Sequence, residues 1–152
     1  MENTYVVQQA GIDQLDELAT LFDLYRMFYG QAPNVQGARR FLFERFEQRD
    51  SVVFLAKHIG SGEAAGFTQL YPVFSSISMK RSYILNDLYV LESHRKQGVA
   101  QLLLDQAKSY ASLLQAKGIE LSTAVSNVQA QRLYERNGYL QDTEYKHYYL
   151  TL

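Results

Sequence analysis

The chain contains no cysteine and no tryptophan, only two prolines, and no long apolar run. Without cysteine there are no disulfides, no thiolate metal sites and no thiol nucleophile, so any catalysis must use other groups, and nothing marks an oxidising compartment. An excess of either charge is lacking too: 15 Lys and Arg stand against 16 Asp and Glu in 152 residues. Nucleic-acid binding draws on a basic excess that neutralises phosphates, so no nucleic-acid partner is expected. No window approaches the roughly 20 apolar residues of a membrane span, and the first residues form neither a basic nor an apolar leader region. These absences predict a soluble, cytoplasmic protein with no membrane partner. His58, His94 and His147 share no metal-ligand spacing, and no metal site is expected.

What is present is aromatic: twelve Tyr and eight Phe, most of them at core-like positions. The length suits a single domain over residues 1–152 with a substantial core. Periodicity predicts a strand at 4–8 and a helix from Asp13, its plausible N-cap, to about Gly30, with apolar positions from Leu15 to Tyr29 at three- and four-residue spacing. A second helix is predicted over 35–48 after the Pro33-Asn34 turn. Strands follow at 51–57 and 64–74 around a hairpin loop at 59–63, and then at 81–90. Pro72 cannot donate to a ladder, so it belongs at a bulge or an edge-facing position. A long helix over 99–117 ending at Gly118, a strand at 119–125, a short helix from Asn127 to about Gly138, and final strands at 139–140 and 145–150 around a turn at 141–144 complete the reading. This order predicts a mixed α/β (α+β) domain with one central sheet.

The chain is organised around residues 84–104. An apolar run breaks at a polar loop carrying Arg95, Lys96, Gln97, Gly98, Val99 and Ala100, which opens directly onto the long helix. A helix N-terminus offers unpaired N–H groups and partial positive charge, and Gly98 lets a ligand approach the backbone, so the loop suits a phosphate or pyrophosphate. Neither the P-loop pattern nor the dinucleotide fingerprint is present. A second helix start follows a strand end at Ser126-Asn127. Ligands of open sheets bind beyond such strand ends, and the two openings are expected to face one crevice.

The pattern Arg95-x-x-Gly98-x-Ala100 resembles the pyrophosphate loop of the GNAT N-acetyltransferase superfamily. Some thirty residues on, Asn127-x-x-Ala130-x-x-Leu133-Tyr134-Glu135-Arg136-Asn137-Gly138-Tyr139 resembles that superfamily's other hallmark. The two motifs occur in the right order on the right elements, and the resemblance covers the chain from about Val52 onward. It implies a mixed, mostly antiparallel sheet flanked by helices on both sides, in which a parallel strand pair splays apart, and acetyl-CoA as cosubstrate. Backbone groups of Leu88, Tyr89 and Val90 would pair with the pantetheine amides and Asn127 would reach the pantetheine arm. The amides of Gln97 to Gln101 would hold the pyrophosphate, while Arg95 and Lys96 suit outer phosphates. Family members are often homodimers, and the tyrosine-rich segment 145–150 would pair across such an interface.

The resemblance makes Tyr134 the general acid that protonates the leaving thiolate, a role open to a phenol of ordinary pKa about 10. The ammonium of the acceptor must lose a proton, and Asp87 is the candidate base or amine anchor. Residues 85–90 resemble the L-E-D-x-x-V segment of polyamine acetyltransferases, except that Asn86 stands where those enzymes carry a glutamate. Alternation sends Asn86 and Asp87 to opposite faces unless a bulge intervenes. On the acceptor side, Tyr29 and Tyr71 lead the aromatic candidates for enclosing an ammonium, with Gln69, Ser75 or Ser76 to orient it. The expected activity is direct transfer of acetyl to a small primary amine such as a polyamine or amino acid. A protein or histone lysine acetyltransferase and a catalytically silent acyl-CoA binder are the alternatives.

Overall fold

A strand survives only where its backbone groups are paired, and in the computed structural model, which describes residues 4–152, pairing runs through five strands in sequence order. These are β1 (Tyr5–Gln9), β2 (Val52–His58), β3 (Ala64–Ser75), β4 (Lys80–Val90) and β5 (Ile119–Glu120). The first four are antiparallel neighbours, and β5 joins β4 in parallel after the crossover helix α3 (Val99–Leu113). The described residues form two compact units, one ending at Leu121 and the other Ser122–Leu152.

In the first unit, strand alternation sorts the core into two layers. Val53, Leu55 and Phe67 face the helices α1 (Leu15–Phe28) and α2 (Val35–Gln48), where Leu18, Leu21, Phe22 and Leu42 are buried with them. The intervening side chains face α3: Phe54 and Tyr83 place their rings 5.4 and 5.8 Å from that of Tyr110. Gly66 is required at this interface. An added Cβ would stand 2.7 Å from the Tyr89 carbonyl oxygen and 3.3 Å from Val99, so any side chain there would drive α3 off the sheet.

Most predicted elements stand, and the departures have local causes. Asp13 does not cap α1; it lies in a 3-10 turn, Ile12–Gln14, where the Gln14 side chain accepts the Gly11 N–H at 2.8 Å. Asn34 caps α2, its side chain accepting from the Gly37 N–H. Pro72 pairs with Tyr83, but β2 reaches only as far as Leu70 along β3, so its missing N–H faces a side without a ladder. Helix α3 ends at Leu113 rather than near residue 117, because Gln115 takes a left-handed φ of 56°. Gly118 instead opens β5, its carbonyl accepting from the Tyr83 N–H and the Ser82 hydroxyl.

The predicted strand at 119–125 shrinks to Ile119–Glu120, paired only at Tyr83↔Ile119 and Ile84↔Glu120. The final strands at 139–140 and 145–150 are absent. An alternating tyrosine pattern does not provide a ladder partner, and these residues have none among those described. The expected turn between them is present, with the Asp142 carboxylate accepting from the Glu144 and Tyr145 N–H groups. The second unit carries one helix, α4 (Val128–Arg136), capped by Asn127, whose side chain accepts the Ala130 N–H at 3.2 Å.

Candidate functional site

The site in the first unit begins with a fault in the sheet. The β3–β4 register passes from Gln69↔Asp87 to Leu70↔Leu85, leaving Asn86 as an extra, unpaired residue. The bulge is the exception that the alternation argument required: it lets both side chains meet, the Asn86 amide donating to Asp87 Oδ1 at 3.2 Å. Asp87 is buried, at 5% exposure. Its other oxygen accepts from Gln69 Nε2 at 2.8 Å, and the Tyr25 hydroxyl is a further hydrogen-bond partner. Burial pushes the carboxyl above its ordinary range, while the bonds from Gln69, Tyr25 and Asn86 pull the other way. Gln69 Oε1 is buried and has no partner among the described residues. Tyr71, on the same strand, is pushed up to about 12, first by burial and then by the negative charge of Asp87.

An aromatic wall leads away from Asp87. The Tyr25 ring lies 5.1 Å from Tyr29, 6.0 Å from Tyr89 and 5.6 Å from Phe67, and Phe28 lies 5.3 Å from Tyr29. Arg95 closes the outer side, its guanidinium carbon 5.4 Å from the Phe28 centroid and 5.7 Å from that of Tyr89. Arg95 is therefore turned to these rings and to the Val90 carbonyl, which its Nε reaches at 3.0 Å, rather than standing clear for an outer phosphate. Ser75 and Ser76 do not orient anything at Asp87. Six residue steps along β3 take the chain from Gln69 to Ser75, about 20 Å of extended chain, and Ser75 lies instead near Lys117.

The β4 backbone is open where the cofactor reading needs it. Leu91 N–H donates to the Ala65 carbonyl, so alternation turns the polar groups of Val90 and Leu88 to the other edge and those of Tyr89 back toward β3. The parallel ladder stops at Ile84, and no strand among those described covers that edge at Leu88 or Val90. Leu88, and the N–H of Val90 whose carbonyl accepts from Arg95, can thus pair with an extended amide chain, whereas the backbone of Tyr89 cannot.

Beyond β4, Lys96 and Gly98 hold left-handed φ values of 62° and 83° on either side of Gln97. No side chain caps α3 at Gly98, and the helix's own bonds begin with the Leu102 N–H on the Gly98 carbonyl. The N–H groups of Val99 and Ala100 therefore lack intrahelical acceptors, and Gln101 completes the same turn. A Cβ at Gly98 would meet nothing within 4 Å, which leaves room for a bulky anion. The loop, the helix start and the open edge fit the pyrophosphate and the amide arm of coenzyme A.

In the second unit, Asn127 spends its side-chain oxygen on the cap of α4. Tyr134 stands on that helix with its ring 5.9 Å from that of Tyr139, edge to face, and burial raises the Tyr139 hydroxyl. Sequence reasoning placed Tyr29, Tyr71, Asn86 and Asp87 on the acceptor side, and the first unit brings Tyr71, Asn86 and Asp87 together with Tyr29 on the adjoining wall. It missed Tyr25 as the partner of Asp87, although Tyr25 shares a helix face with Phe22 and Tyr29. Among the described residues, no group of acidic residues and histidines is arranged to hold a metal.

Comparison with known proteins agrees with this geometry. A family model described as Acetyltransferase (GNAT) family matches residues 18–139. The chain is 47% identical over 146 residues to "Uncharacterized N-acetyltransferase YhfO" of Bacillus subtilis (strain 168), covering 96% of this chain and 97% of the relative. A crystal structure of a probable acetyltransferase, 44% identical, superposes with a TM-score of 0.93 over 97% of each chain. The L-ornithine N5-acetyltransferase NATA1 of Arabidopsis thaliana is 28% identical over 92 residues, 60% of this chain and 40% of that protein.

Proposed function

The chain belongs to the GNAT acetyltransferase family, and from that premise we propose that it is a cytoplasmic, acetyl-CoA-dependent N-acetyltransferase, a single domain over 1–152 acting on the primary amine of a small molecule. The observation that carries the choice of acceptor is the buried Asp87 carboxylate at the end of an aromatic wall. A small ammonium satisfies both features at once: its charge pairs with Asp87 and its alkyl stem lies along Tyr25, Tyr29 and Tyr89. The name of the NATA1 relative, an ornithine N5-acetyltransferase, points to the same class of acceptor.

Acetyl-CoA, held by Leu88, Val90 and the loop 96–101, supplies an acyl group already activated as a thioester. The rest is done by side chains. Asp87 draws in the ammonium and accepts its proton, and a carboxyl raised by burial is a stronger base than an ordinary aspartate. Gln69 Oε1, a buried acceptor without a partner, takes an N–H of the bound amine and keeps the nitrogen's lone pair oriented. The freed amine attacks the thioester carbonyl and the C–S bond breaks; Tyr134 is the hydroxyl assigned to protonate the departing sulfur, and the second proton shed by the acylated nitrogen restores the phenol. The enzyme works as a homodimer, in which the segment carrying Tyr145, Tyr148, Tyr149 and Leu150, 72 to 92% exposed, is covered by the second copy.

A panel of diamines, polyamines, amino acids and lysine peptides with acetyl-CoA, read by thiol release, tests the proposal. Turnover on small diamines or basic amino acids, lost in Tyr134→Phe, is the expected result. Turnover on peptides alone would overturn the acceptor class, and an equally fast Tyr134→Phe enzyme would overturn the acid.

A further inference from the structure

His94 ends the short 3-10 turn, Glu92–His94, that leads into the pyrophosphate loop, and it is buried at 8% exposure. Its ring is held on both sides. Nδ1 lies 2.8 Å from the Tyr5 hydroxyl on β1, and Nε2 lies 2.8 Å from Glu63 Oε2 at the start of β3. The Tyr5 hydroxyl makes a second bond, donating to Gln97 Oε1 at 2.7 Å.

Counting protons decides what His94 does. A phenol has one hydrogen. Here it goes to Gln97, because the opposite end of that amide, Nε2, donates to the Ser93 carbonyl at 3.4 Å, and turning the amide over would set two oxygens against each other. The Tyr5 oxygen can therefore only accept from Nδ1. Nε2 faces a carboxylate whose side chain is 52% exposed, and an ionised carboxylate accepts but does not donate. Each ring nitrogen thus faces an oxygen that can accept from it. The neighbouring ring behaves oppositely: His58 Nδ1 accepts the Ser61 N–H at 3.1 Å and so bears none, although its ring lies only 5.6 Å from that of His94.

We propose that His94 is a positioning residue for the coenzyme A pyrophosphate loop, donating from Nδ1 to Tyr5 and from Nε2 to Glu63 and so bracing the loop through Tyr5 and Gln97. The inference rests on reading that loop as the coenzyme A site. Its physical content is pre-organisation. Tyr5 grips both His94 and Gln97, and Gln97 sits between the two left-handed residues, so the loop's donors are held in place before the anion arrives. The charged side chain against the ring is Glu63 from the hairpin, the titratable rings beside it are Tyr5 and His58, and Glu92, Arg95 and Lys96 belong to its own turn and loop. Lys96 is exposed, and Arg95 is turned away onto the aromatic wall.

Two measurements on the full-length protein test this independently. Long-range nitrogen–proton correlation of the histidine rings at neutral pH, assigned by the signal missing from His94→Gln, is expected to show both His94 nitrogens protonated and His58 with one bare nitrogen. A bare nitrogen on His94 overturns the proposal whether or not coenzyme A binds. Steady-state kinetics of Tyr5→Phe is expected to show KM for acetyl-CoA raised about tenfold with kcat essentially unchanged, the signature of a lost pre-organising bond. A fall in kcat with KM unmoved overturns the positioning role. Parent protein that gives no heat with coenzyme A in calorimetry would instead refute the loop assignment, leaving the ring protonation to be judged by the correlation spectrum alone.

Discussion

Two polar clusters, each centred on a buried titratable residue, flank the β3–β4 pair, and they are finished differently. Around His94 both ring nitrogens, the Tyr5 hydroxyl and both ends of the Gln97 amide have partners, reaching Ser93 on one side and Glu63 on the other. Around Asp87 the donors converge on one carboxylate, yet Gln69 keeps a buried acceptor unfilled and the carboxyl remains raised by desolvation. A satisfied network holds a loop still, while an unsatisfied one is poised to take a ligand. The difference separates the bracing cluster from the proposed reaction site more sharply than the residue types do, since each cluster combines a tyrosine, a glutamine and a titratable group.

Removing the titratable group at the unsatisfied cluster is the hardest test of this contrast. Asp87→Asn is expected to lower kcat/KM by about 100-fold or more, the usual scale of a lost general base, with the acidic limb of the pH–rate profile abolished. The same substitution should raise the melting temperature at neutral pH. Because the folded-state value lies above the ordinary 3.8, the native protein binds more protons than the unfolded chain in that window, and stability is lost as pH rises through it. Asn escapes that penalty, and Gln69 can rotate its amide to accept from the new Nδ2. Thermal scans at neutral pH and below pH 3.8 should show the advantage shrinking at the lower pH.

Filling Gly66, which lies opposite Val90 between the two clusters, comes next. Gly66→Ala is expected to destabilise the fold by about 1–3 kcal/mol through overpacking against the Tyr89 carbonyl and Val99, measured by urea unfolding. Gln69→Leu, which removes both the donor to Asp87 and the unfilled acceptor, is expected to cost about tenfold in kcat/KM for the amine and to leave KM for acetyl-CoA alone. An equal loss for both substrates would show that the two clusters are not separate. Smallest of all, Tyr25→Phe deletes one of the bonds that favour the ionised carboxylate. It should move the acidic limb upward while the plateau rate stays close to the parent's.

Much of this was legible from residue order. The loop at Arg95–Ala100, the Asn127 cap of α4, the bounds of α2 and the succession of elements follow from turn chemistry and periodicity acting over a few residues. The bulge was legible only as a condition: nothing within residues 84–90 says that Asn86 will be the extra residue, because a bulge is a relation between two strands and depends on how Leu70 and Gln69 choose partners. The strand expected at 119–125 and the pair expected after residue 138 failed for the same reason, since alternating residues make a strand only where a second backbone accepts them.

What the amino-acid order determined alone was local: the starts of α2, α3 and α4, the glycine-bearing loop ahead of α3, the family to which the chain belongs, and the absence of thiol chemistry. Tertiary structure decided which of the polar residues became buried and beside whom. Tyr5 and His94, eighty-nine positions apart, meet only because the sheet sets β1 across β2 and β3 from the strand that leads into the loop, and Tyr25 meets Asp87 only because α1 packs on that sheet. A hydrogen bond between distant residues, and the desolvation that gives it consequence, exist only after the intervening chain has closed around them.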